Sequence, residues 1–192
     1  MTIKPIRSVR LDPMTADEYP AWEAHAASGY AQSQVQAGHW AAETALEQAW
    51  QDTRRLLPLG LATPDQHVWV ARDAESGAAV GTLWIAIRRQ GGRTEAYIYD
   101  VEVDPEHQGG GYGRAIMEAG AAAARGLGAE VVALNVFGFN DRAYNLYKSL
   151  GYVVANRHMR LELQPQRPDR ASTTVAAAVP AVEVRSTVGP IL

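Results

Sequence analysis

An apolar strand that runs straight into a glycine-dense turn and then a helix leaves few folds open to a chain. Residues 101–114 read Val-Glu-Val-Asp-Pro-Glu-His-Gln-Gly-Gly-Gly-Tyr-Gly-Arg and have that form. Glycines at 109, 110, 111 and 113 remove the Cβ atoms that would stop the backbone curling around a ligand. The helix beyond offers unpaired N–H groups at its positive end. The pattern suits a bound anion such as a pyrophosphate, although a glycine-rich turn with no ligand would look the same in isolation. Two familiar nucleotide motifs fail: G-x-G-x-x-G meets Arg114 or Ile116 at its last glycine, and G-x-x-x-x-G-K-[ST] has no lysine in place.

The frame around this turn is that of one globular domain, since 192 residues at 47% hydrophobic and 20% charged can bury a sizeable core. A formal net charge of −3 gives no reason to expect nucleic acid or an anionic membrane as partner. The absence of cysteine excludes disulfides, thiolate metal sites and a cysteine nucleophile. Five histidines (His25, His39, His67, His107 and His158) show no metal-binding spacing, so they read as surface or packing residues and no metal is expected. Residues 1–10 lack the apolar run of a signal peptide and no window reaches transmembrane length, which points to a cytoplasmic protein.

Patterning predicts a strand over Ile6–Leu11, then a helix capped by Thr15 or Asp17 and running to about Ser28. A second helix over about Glu43–Leu57 ends at Pro58. Three strands follow as an antiparallel meander, at His67–Arg72, Ala79–Arg88 and Thr94–Val103. Next come an Ala-rich helix over Gly113–Leu127, a short strand over Val131–Val136 and a helix over Asn140–Leu150. A terminal hairpin is expected from Tyr152–Ala155 and Met159–Leu163. The order β-α-α-β-β-β-α-β-α-β-β implies an α+β fold of three layers, with a mixed, mostly antiparallel sheet and helices on both faces. The domain is expected over residues 1–164. Residues 165–192, rich in Pro, Ala and Val, read as a tail that is either flexible or adds Ala181–Val184 to a sheet edge, a partner subunit's included.

A second motif, Asn140-Asp141-Arg142-Ala143-Tyr144-Asn145-Leu146-Tyr147, places Asn140, Ala143 and Tyr147 on one helix face, with Gly151-Tyr152 beyond. Together the two motifs resemble the GNAT superfamily of N-acetyltransferases, whose signature is [Q/R]-x-x-G-x-[G/A] followed by N-x-x-A-x-x-x-Y-x-x-x-G-[F/Y]. Gln108, Gly111 and Gly113 match the first half; Asn140, Ala143, Tyr147, Gly151 and Tyr152 match the second. The resemblance is clearest over residues 94–154 and does not cover the tail.

The resemblance implies acetyl-CoA as co-substrate, with no metal, and an amine as acceptor. The pyrophosphate would lie on the backbone from Gln108 through Gly109, Gly110, Gly111 and Tyr112 to Gly113, with Arg114 adding charge. The pantetheine arm would meet the backbone of Val101 and Val103 and the side chain of Asn140. Tyr147 would protonate the leaving thiolate, and Val101 N–H would serve the thioester oxygen. Asp100, and after it Glu102, are the candidate bases. Both point away from Val101 and Val103 on a regular strand, a geometry that a bulge would alter. The acceptor would meet Tyr30, Gln34 and Trp84, with Trp22 and Trp40 as further aromatic walls; core packing explains most such aromatics equally well. Asn135 stands where the branch that modifies ribosomal-protein N-termini has a glutamate base, and an amide cannot accept that proton. A small-molecule amine is therefore the first reading. The alternatives are a protein lysine or N-terminus as acceptor, or a non-catalytic acyl-CoA sensor; homodimerisation stays open.

Overall fold

The structure, a computed structural model, describes residues 7–163. Residues 7–153 fall in one compact unit, and residues 154–163 belong to a second whose described part holds no helix or strand. The five strands are β1 (Val9–Pro13), β2 (Gln66–Asp73), β3 (Ala79–Gln90), β4 (Arg93–Val103) and β5 (Val131–Leu134), hydrogen-bonded in chain order. The first four run antiparallel to their neighbours, while β5 pairs parallel to β4. That parallel pair needs a crossover, which α3 (Tyr112–Gly126) supplies.

The helices divide between the two faces. On one face, Tyr112, Ile116, Met117 and Ala124 of α3 pack against Leu83, Ile85, Ala96 and Ile98, joined by Leu146, Tyr147 and Leu150 of and beside α4 (Asp141–Ser149). On the other, Trp22 of α1 (Tyr19–Gln36) packs against Val68, Val70 and Trp84. Above it Ala27 and Ala31 meet Ala45 and Ala49 of α2 (Ala42–Leu56). This is the mixed α+β sheet with helices on both faces that the patterning implies.

Thr15 caps the entry to α1, and Asp17 does not. Thr15 N–H and Oγ1 both donate to Glu18 Oε2, at 2.9 and 2.8 Å, and Glu18 N–H returns to Thr15 Oγ1 at 3.3 Å, a reciprocal capping box. The helix then runs well past Ser28. Gly29 is a weak helix former, but the alanine seam with α2 outweighs its cost of about 1 kcal/mol.

The terminal hairpin predicted over Tyr152–Ala155 and Met159–Leu163 is not formed. Tyr152 N–H instead turns back to Tyr147 O at 3.0 Å, closing the end of α4. Alternating Val, Met and Leu give β-propensity, but a strand persists only with a partner to pair with, and β5 gains none on its outer edge among the described residues. The edge-strand reading of Ala181–Val184 lies outside the described residues, as does the rest of the 165–192 tail.

Candidate active site

The site begins with a mismatch in strand pairing. On β3, Trp84 and Ile85 are adjacent, yet they pair with Asp100 and Ile98 of β4, so Tyr99 is an extra residue, a bulge. Ile98 faces the α3 side, whereas Tyr99 stacks on Trp84 on the α1 side with ring centroids 4.8 Å apart. β5 pairs only with Glu95–Ile98, so β4 beyond the bulge has an open edge. Asp104 N–H donates to Val80 O at 3.0 Å, and antiparallel alternation from that bond turns the backbone groups of Val101 and Val103 away from β3, onto that edge. A cleft of about 720 Å³ occupies this position, lined by Val101, Glu102 and Val103 from β4, by Asn140, Arg142, Ala143, Leu146 and Tyr147 around α4, and by the start of α3.

The glycine turn forms the end of that cleft. Gly109 and Gly111 sit at φ +75° and +99°, the left-handed region, and Gly111 is the residue on which α3 begins. Gly109, Gly111 and Gly113 line the cleft, while Gly110 does not. The first amides of α3 have no acceptor within the helix, so this end presents backbone donors and the positive end of a helix to whatever enters. Gln108 spans the mouth: its Nε2 donates to Val103 O at 3.2 Å and its Oε1 accepts from Arg142 Nη1 at 3.0 Å. The Val103 carbonyl is thus already engaged, while the Val103 N–H and the Val101 N–H, the latter close to the Asp100 carboxyl, remain on the open edge.

Tyr112, whose backbone amide opens α3, has a second task for its side chain. Its side chain is buried and does not line the cleft; its hydroxyl donates to Asp73 Oδ2 at 2.8 Å. Asp73 also accepts from the amide and hydroxyl of Ser76, and the Ser76 amide, the Tyr112 phenol and the Ser76 hydroxyl together hold its carboxyl down at about 2. Tyr112 therefore ties the first turn of α3 to the end of β2 and fixes the glycine turn from behind. Asn140 lines the cleft with half its side chain committed, since Oδ1 caps α4 by accepting from Ala143 N–H at 3.1 Å.

Arg114 and Arg142 add positive charge beside the turn, and Arg7 reaches the same cleft from ahead of β1, its guanidinium stacked over the Tyr112 ring at 5.1 Å. Arg114 donates to Ser149 Oγ at 2.5 Å and pairs with Glu118 at 3.6 Å. Backbone donors, glycine clearance and three arginines make a donor set that fits a phosphorylated ligand. The sequence motifs assign no role to Arg7 or Arg142. Arg142 lies inside the second motif, where its charge is a local signal, whereas nothing local to Arg7 signals that it meets α3.

Tyr147 lines the cleft, and burial, followed by the neighbouring Tyr152 and Asp100, pushes its hydroxyl up to about 12. Asp100 and Glu102 share the face opposite Val101 and Val103, because the bulge precedes them and the strand is regular from Asp100 on. Only Glu102 lines the cleft. Asp100 is set back beside Trp22, and burial, then the charge of Glu102, raises its carboxyl to about 6. The buried Trp22 Nε1 makes no hydrogen bond of good geometry, but it lies close enough to Asp100 to favour its anion.

The residues expected to hold an acceptor lie apart from this cleft. Trp84 is a core residue, 5% exposed, edge-on to Trp22 at 5.7 Å and donating from Nε1 to Gln66 Oε1 at 2.7 Å. Trp22 is equally buried. Tyr30 packs edge-on to Trp40 at 5.2 Å, and Gln34 Nε2 donates to the Tyr30 hydroxyl at 2.6 Å. Neither Tyr30 nor Gln34 lines the cleft. Among the described residues no group of three His, Asp or Glu side chains is placed to hold a metal, and no helix is long and apolar enough to cross a membrane.

Known proteins share the family and the fold of this chain. The model of the acetyltransferase (GNAT) family matches residues 23–152. The uncharacterized N-acetyltransferase YycN of Bacillus subtilis is 34% identical over 145 residues, which span 76% of this chain and 92% of YycN. The crystal structure of YycN superposes with a TM-score of 0.78, covering 82% of this chain and all of that one. A mycothiol acetyltransferase of Propionibacterium freudenreichii is 39% identical over 87 residues, 45% of this chain and 28% of that protein.

Proposed function

The chain belongs to the acetyltransferase (GNAT) family, and on that premise we propose that it transfers the acetyl group of acetyl-CoA to a primary amine on a small molecule, by direct attack in a ternary complex. The observation that carries the reading is the meeting, in one cleft, of the open edge of β4, the glycine turn of α3, Glu102 and Tyr147. Gly109, Gly111 and Gly113, with Arg114 and Arg142, hold the pyrophosphate through backbone amides and charge. Val101 N–H donates to the thioester oxygen as negative charge develops there.

An ordinary primary amine, with a pKa near 10, is only about one part in a thousand neutral at pH 7. A base must therefore remove a proton before nitrogen can attack. Glu102 is the carboxylate that lines the cleft, so it takes that proton. Asp100, behind it, contributes negative charge that favours a cationic acceptor. As the C–S bond breaks, Tyr147 donates to the departing sulfur and is reprotonated by the second N–H proton that the attacking nitrogen sheds, a task suited to a phenol that keeps its proton at neutral pH. The absence of cysteine accords with direct transfer and no acyl-cysteine step. The mycothiol acetyltransferases among the relatives bear the name of a small-molecule product, which favours a small acceptor over a protein one.

The test is a screen of primary amines with purified protein and acetyl-CoA, following release of CoA. Turnover of small amines supports the reading. Binding of acetyl-CoA without turnover across the panel would instead make the protein an acyl-CoA sensor, and turnover confined to peptides would move the acceptor to a protein.

A further inference from the structure

Glu102 has a partner that does not itself line the cleft. His25, on α1 and 77 positions away in sequence, places its Nε2 2.9 Å from Oε1 and 2.8 Å from Oε2 of that carboxylate. The acidic groups around the imidazole are Glu102 and Asp100 on β4 and Asp104 just beyond it. No arginine or lysine forms an ion pair with Glu102 among the described residues, so His25 offsets the crowding at Glu102 and Asp100, while at Asp104 His107 offsets the charge of Glu106. The pair is also open to water, with the two side chains 67% and 37% exposed. An ion pair this exposed adds little to stability, so folding alone gives weak reason for it.

We propose that His25 is a positioning residue for Glu102, holding its carboxylate at the open edge of β4 and receiving the proton that Glu102 takes from the acceptor. This rests on the acetyltransferase reading above and extends it to a residue outside both sequence motifs. The N–H bond of the acceptor ammonium breaks and its proton moves to a Glu102 oxygen. From there it passes to Nε2 of a neutral His25 that carries its proton on Nδ1, forming the Nε2–H that holds the returning carboxylate. The exposed ring then releases the Nδ1 proton to water, and exchange with water restores the Nδ1–H tautomer. Glu102 returns to the carboxylate for the next cycle, and no oxidant or further reactant is needed. Glu102, first among the neighbouring acids, holds the His25 imidazole above its ordinary value. The neutral form that accepts the proton therefore gains population as pH rises through that raised value, and the rate should climb with it.

The experiment uses the full chain with acetyl-CoA and phenethylamine as probe acceptor, measuring CoA release across about pH 5 to 9 for wild type, His25→Gln and His25→Ala. Imidazole NMR titration of wild type and Glu102→Gln accompanies it. His25→Gln keeps a hydrogen-bond donor but cannot titrate. It should leave the KM for acetyl-CoA within about two-fold while removing the wild-type acidic limb, and His25→Ala should lose about ten-fold or more in kcat. Glu102→Gln should lower the titration midpoint of His25. A pH–rate profile unchanged in His25→Gln, or a His25 midpoint unmoved by Glu102→Gln, would overturn the proposal. Failure of the acetyltransferase reading looks different: no form, wild type included, releases CoA with phenethylamine or any other amine of the panel, which removes the proposed role of His25 while the NMR coupling persists.

Discussion

The two flanks of β4 at the cleft are built by different means. On the flank toward α3, the working groups are backbone: the Val101 amide, the glycine turn and the first turn of a helix, with arginines in support. On the flank toward α1, they are side chains: Glu102, Asp100 and His25, brought together from elements far apart in sequence. Backbone donors are fixed by φ and ψ, so that flank is nearly insensitive to residue type except where a Cβ would intrude. Side-chain groups depend on burial, charge and neighbours, so that flank is tunable and sensitive to pH. A transferase that binds one donor and must select an acceptor is well served by this division.

The contrast is broken most severely at Gly111. A valine there must adopt φ near +99°, which a β-branched residue does not tolerate, and it intrudes on the cradle. Gly111→Val should weaken CoA binding on the order of a hundred-fold or more by calorimetry. Tyr147→Phe should separate the flanks by function: kcat falls about a hundred-fold while CoA affinity stays within about three-fold, checked by steady-state kinetics beside calorimetry. Equal turnover by the two forms would remove Tyr147 from the chemistry.

Asp100→Asn tests the tunable flank through stability. The carboxyl titrates at about 6 in the folded chain against 3.8 as its ordinary value, so the folded state binds the proton more tightly. Stability is therefore lost as pH rises through that window, by at most about 3 kcal/mol. Asp100→Asn should raise Tm at pH 8, and the gain should vanish below about pH 4; thermal melts at the two pH values decide it. Arg142→Ala should weaken CoA binding about three- to ten-fold, by an amount that shrinks as salt is added. Gly110→Ala should be the mildest change, about two-fold or less in affinity. Gly110 does not line the cleft, and its added Cβ, nearest to His107 O at 3.1 Å and the Tyr112 ring, asks for a shift of only a few tenths of an ångström on the far side of the turn.

Legibility from sequence follows the same division. The strand, glycine turn and helix of residues 101–114 are contiguous, so a local reading finds the turn that lines the cleft and opens α3. The bulge at Tyr99 leaves no trace in composition, because it is a property of the pairing between β3 and β4. His25 carries no motif and acquires meaning only when α1 lies over the end of β4. Trp84 and Tyr30 look like pocket walls in sequence, and the packing of α1 and α2 on the sheet makes one a core residue and leaves the other outside the cleft. Tyr112 falls within the cradle motif yet faces Asp73, since the first residue of α3 must also secure the helix to β2.

The central claim is that acetyl-CoA lies along the open edge of β4 and the start of α3 and is held there by backbone amides. Backbone-amide NMR during titration with CoA tests it most directly. The account predicts that the amides of Val101, Gly109, Gly111 and Gly113 shift strongly and saturate together, while those of α2 stay in place. Saturable binding that leaves these four amides unmoved and perturbs another part of the chain would contradict it.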